Sequence, residues 1–146
     1  MKNRPGLTLI EVMIAVLVLS FAVAVFAPLY PASMRLRSKA ENVTRATTLA
    51  QQKIEQIRAL PYTSLTYAGL QTNSVIDTTP NTSPYSFTSV DGLASKLPQG
   101  AGTLTLSTPA TDLKQVDVTV TWNGLVQNGN TVTMSTQIAN KAVKSR

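Results

Sequence analysis

Glu11 is the residue whose setting most demands a chemical explanation. From Val12 to Met34 no residue carries a formal charge, so a lone carboxylate heads a segment suited to lipid. A charge held at the membrane centre costs about 2.5 to 3.5 kcal/mol on insertion scales, so such an acid calls for a cation or for the solvated headgroup layer. Other chemistry is sparse. The chain has no Cys and no His, which removes disulfides, thiol nucleophiles, histidine triads and the commonest zinc sites. Asp77, Asp91, Asp112 and Asp117 could offer oxygens to calcium, yet scattered aspartates ordinarily belong to turns or solvated surface. The sequence thus points to no catalytic residue, no cofactor and no metal, and to a non-enzyme.

The elements around Glu11 are bipartite. Hydrophobic residues make up 43% of 146 residues, an ordinary share that hides their concentration in the first quarter. A membrane helix needs roughly 20 mainly apolar residues at about 1.5 Å each, and the run to Met34 meets that length. A secretory signal peptide is the competing reading, but its apolar core is about 7 to 15 residues and this one continues into a helical pattern. Lys2 and Arg4 precede the span while Arg35, Arg37, Lys39 and Arg45 follow it, so charge counting alone places the C-terminal part in the cytoplasm. The formal charge of +6 admits nucleic acid as a partner, but the cations are scattered and no aromatic residues interleave with them in a patch.

A basic leader ending in Gly6, then Leu7-Thr8-Leu9-Ile10-Glu11-Val12 and an unbroken apolar helix, resembles the cleavage and methylation segment of type IV pilins and type II secretion pseudopilins. The resemblance covers residues 1 to about 35. It implies cutting by a prepilin peptidase between Gly6 and Leu7, N-methylation of Leu7, and insertion with the N-terminus cytoplasmic in a bacterial inner membrane. A periplasmic or cell-surface filament of other pilins or pseudopilins follows. Leu7 stands where the family usually has Phe, which weakens a major-pilin reading. The resemblance also supplies a cation for Glu11, because cleavage turns the neutral Leu7 amide into an amine, on the same chain or a neighbour. The expected assembly residue is therefore Glu11.

Pro28 and Pro31 each lack an N–H, so a helix through them should kink or loosen. The resemblance places the family's helix bend at Pro28, and Pro31 is additional. Beyond the span, Val43, Ala46, Ala50, Ile54, Ile57 and Leu60 recur at spacings of three and four, while Arg45, Lys53, Glu55 and Arg58 take other positions. Glu41 and Arg45 are spaced to pair. The helix should stop near Ala59, ahead of Pro61. Tyr62 to about Gly102 reads as loop and short irregular strands, with Tyr85 to Val90 one candidate. Val116 to Trp122 alternates as a half-buried strand with Trp122 as core anchor. Thr131 to Ala139 returns as a hairpin whose register two Asn-Gly pairs leave open, and Leu104 and Leu106 offer a further strand.

The expected fold is α+β: leader 1–6, membrane and assembly helix 7–34, amphipathic helix 35–60, and a loop-rich antiparallel β domain 61–146. The expected function is a structural subunit, a minor pilin or pseudopilin. The alternatives are a secretion pseudopilin rather than a pilus or DNA-uptake component, and a plain single-span anchor whose outer domain binds a ligand. Expected partners are prepilin peptidase, fellow subunits and inner-membrane lipid.

Overall fold

The computed structural model describes residues 8–124 and 130–140. The chain divides into two compact units, Met1–Ser38 and Lys39–Arg146. Helix α1 spans Leu9–Phe26 and buries no residue. It is apolar all round, the pattern of a segment whose solvent is lipid rather than a one-sided core. Ser20 donates its hydroxyl to the Val16 carbonyl at 2.7 Å, so this polar side chain is satisfied without water. Helix α2 runs from Leu29 to Arg58, and the interruption between the two helices falls at Ala27 and Pro28. Pro31 lies in the first turn of α2, where a missing N–H is tolerated.

The second unit is built on the C-terminal part of α2 and an antiparallel sheet of order β1-β2-β3-β4: Tyr85–Ser86, Ala101–Ala110, Leu113–Trp122 and Asn130–Ala139. The expected α+β class is the observed one. Ala46, Ala50, Ile54 and Ile57 share one core with Leu104, Val116, Val118, Val120 and Trp122. Val116, Val118, Val120 and Trp122 alternate inward, and the indole of Trp122 is 2% exposed. Register is set on both sides of β3: Leu104 pairs with Val118 across β2, and Val118 with Met134 across β4. A one-residue slip would turn the valines to solvent, so burial itself holds the register.

Several expectations need correction. The expected β3–β4 hairpin forms, with pairing that extends to Trp122↔Asn130; Asn123-Gly124 is therefore not a two-residue turn between these strands, and Asn128-Gly129 lies outside the described residues. A tight hairpin also joins β2 and β3, where Ala110 pairs with Leu113 and Asp112 takes a left-handed φ of 63°. Asp tolerates that region, and the Asn140 N–H donates to the Asp112 carbonyl at 2.7 Å. The stretch expected as loop and strands holds helices α3 (Tyr67–Thr72) and α4 (Leu93–Lys96), a 3₁₀ turn at Tyr62–Ser64 and only the two-residue β1. Helices this short do not persist alone. Burial of Leu70 and Leu93 in the core holds them, and Thr66 caps α3 by accepting from the Gly69 N–H. On α2, Val43 is 38% exposed rather than part of the core face. Glu41 and Arg45 make no ion pair; those among the described residues are Lys53–Asp91 and Arg58–Glu55.

Candidate functional site

Glu11 lies in the first turn of α1, exposed, with its N–H donating to the Thr8 carbonyl at 3.1 Å. An acid in the first turn is favoured by the partial positive charge of the helix N-terminus. Around it Leu9, Ile10, Val12, Met13 and Ile14 are all exposed, so the carboxylate projects from a wholly apolar surface. Gly6 and Leu7, the expected cleavage pair, lie outside the described residues. Pro28 stands at the break between α1 and α2. Glu11 and Pro28, the two of these residues that are described, lie at opposite ends of α1 and share no pocket.

The second unit holds two buried polar centres. Lys53 was expected among the polar positions of its helix, yet it is 1% exposed. Its ammonium donates to the Val75 carbonyl at 2.9 Å, to Gln56 Oε1 at 3.0 Å and to Asp91 Oδ1 at 3.0 Å. It also lies 5.0 Å from the centre of the Phe87 ring. Burial pushes the amine below its ordinary value, and the hydrogen bond and charge of Asp91 pull against that shift. A signal was present in the sequence: Lys53 falls three residues after Ala50 and four before Ile57, on the apolar stripe, where an aliphatic stem can pack while its head reaches a partner.

Asp77 is the other centre. Ser86 Oγ donates to it at 2.5 Å, the Val90 N–H at 2.8 Å and the Ser89 N–H at 3.1 Å. Burial disfavours its charge, but these hydrogen bonds outweigh burial and hold the carboxyl below the usual value. The donors come from a segment remote in sequence, so no local pattern announced them. The calcium candidates are each occupied by a donor of their own chain: Asp77 as described, Asp91 by Lys53, Asp112 by Asn140 and Asp117 by Gln115. Among the described residues no three His, Cys, Asp or Glu converge as a metal cage.

The polar centres thus hold the second unit together, and the segment with chemistry to offer is the N-terminal one. Among the described residues one helix is long and apolar enough to cross a membrane, and it lies near the N-terminus. A family model described as the prokaryotic N-terminal methylation motif matches residues 1–27. The protein is therefore of the membrane-anchored α+β class. More particularly, residues 1–27 carry an N-terminal methylation motif of the kind that marks type IV pilin and pseudopilin prepilins. No curated protein and no solved structure matches the chain.

Proposed function

We propose that the chain is a structural subunit, a minor pilin or pseudopilin, of a type IV pilus-like filament. Prepilin peptidase cuts after Gly6 and methylates the Leu7 amine, and α1 then packs among the same helices of other subunits by head-to-tail contacts. The observation that carries this reading is the methylation motif over residues 1–27, set on a helix with no buried residue. Glu11 serves as the partner of the new amine, which balances the cost of holding a carboxylate in lipid. The orientation that follows, N-terminus cytoplasmic and second unit outside, runs against the cation count after Met34. A secretion pseudopilin uses the same residues in the same way, and comparison of secretion with surface piliation in a deletion strain separates the two.

Mass spectrometry of the mature N-terminus tests the processing step: a methylated Leu7 is expected, and a retained Met1 refutes it. Glu11→Val tests assembly. Membrane levels should hold while the amount in sheared filament fractions falls sharply, because deleting one member of a buried pair costs about 3 to 5 kcal/mol by stranding the other. Equal amounts of the two proteins in filaments would refute the assembly role and leave Glu11 as a headgroup-level residue.

A further inference from the structure

The described cations fall into two groups. Lys53 pairs with Asp91, Arg58 with Glu55, and Lys114 donates to the Leu65 carbonyl at 2.6 Å. Arg35, Arg37, Lys39, Arg45 and Lys96 are exposed and have no ion-pair partner among the described residues. Arg35, Arg37 and Lys39 directly follow the apolar run that ends at Met34, and Arg45 is further along the same helix α2. Lys96, on α4, shares with Arg45 a groove of about 540 Å³ that is lined without any acid. Thr48 and Ser95 in that groove spend their hydroxyl hydrogens on the Thr44 and Gly92 carbonyls. Charge there is therefore supplied by Arg45 and Lys96, with the Gln52 amide beside them.

We propose that Arg35, Arg37 and Lys39 bind the headgroups of anionic phospholipid. Cations next in the chain to a membrane span stand at the level of the lipid phosphates, where each adds to attraction for an anionic surface. Glu41 is the lone acid between Arg35 and Arg45. A second copy of this chain is a poor counterpart, because Glu55, Asp77, Asp91, Asp112 and Asp117 are each engaged by a donor of their own chain, which leaves only Glu11, in the apolar helix, and Glu41, itself among these cations. The cluster also accounts for the excess of cations after the span, which serve lipid contact instead of setting orientation.

The proposal rests on membrane anchoring and not on filament assembly. The test uses the full chain reconstituted in mixed bilayers containing spin-labelled phosphatidylglycerol or phosphatidylcholine, with protein-restricted lipid read by electron paramagnetic resonance. Restricted phosphatidylglycerol should exceed phosphatidylcholine at low salt, each surface cation being worth up to about fivefold, and the excess should fall as salt rises. Arg35→Gln/Arg37→Gln/Lys39→Gln should bring the ratio close to one, whereas Arg45→Gln/Lys96→Gln, which removes the same kind of charge from the groove, serves as the control and should leave most of the excess in place. All five side chains are exposed, and an unchanged Trp122 emission confirms that each variant keeps its core. Equal retention of the two lipids, or a ratio that the triple variant leaves unchanged, overturns the proposal. Displacement of the labelled lipid by inorganic phosphate or by an oligonucleotide at matched ionic strength overturns the lipid assignment. A chain that fails to enter the bilayer overturns the anchor as well, so the two failures are distinguishable.

Discussion

Asp91→Ala strands the ammonium of Lys53 in the core, and its consequences follow from the geometry. Lys53 is 1% exposed and its side chain pairs with an Asp91 side chain that is 23% exposed. Removing one partner of a buried pair costs about 3 to 5 kcal/mol. Partial access of water at Asp91 places this case near about 3 kcal/mol, since the hole left behind admits solvent. For a domain of this size about 3 kcal/mol lowers Tm by roughly 10 to 15 °C. Trp122, the chain's one tryptophan and 2% exposed, reports the loss of the core by its emission during a thermal melt of the protein in detergent. The pH dependence gives a second signature. The Lys53 amine is already lowered from 10.5, and Asp91 is what holds it up. In the variant the folded value falls further, so between it and 10.5 the unfolded chain binds more protons and stability rises with pH. The deficit should accordingly shrink on going from neutral pH towards 10. Lys53→Met/Asp91→Ala removes both charges and should be more stable than Asp91→Ala alone, leaving the Val75 carbonyl short of a donor. A single variant that melts within about 2 °C of wild type, or a deficit that grows with pH, refutes the account.

Gly102→Ala sets a Cβ against the Phe87 ring and the Leu93 side chain, both buried, and should cost about 1 to 3 kcal/mol in chemical denaturation; wild-type stability would show that this layer has room. Asp77 is held below its ordinary 3.8, so its contribution is complete above that value and is lost as pH falls through the folded one. Asp77→Asn should therefore be less stable at neutral pH and lose less on acidification below about pH 4; parallel acid limbs for the two proteins would contradict this. Trp122→Ala empties the largest inward position of β3 and should cost about 3 to 5 kcal/mol, read by circular dichroism melts; an unchanged midpoint would place the indole outside the core.

What the sequence determined by itself was whatever depends on neighbours along the chain. The apolar run and Glu11 are legible because lipid compatibility is a property of consecutive residues, and the methylation motif because it too is a pattern of consecutive residues. The core stripe Ala46, Ala50, Ile54 and Ile57 and the alternation from Val116 to Trp122 follow the periods of helix and strand, so they too could be read locally. Tertiary structure decided the rest. Lys53 became a core residue only because Asp91, Val75 and Phe87 were brought around it. Asp77 became an organising carboxylate through donors at Ser86, Ser89 and Val90. Helices α3 and α4 exist because Leu70 and Leu93 are buried, and their lengths are too short for propensity to sustain them. The β3–β4 register was ambiguous between two Asn-Gly pairs until one pairing placed Val116, Val118 and Val120 inward against α2. Local sequence specifies a period and a preference, whereas desolvation of a particular side chain depends on which distant groups arrive to cover it.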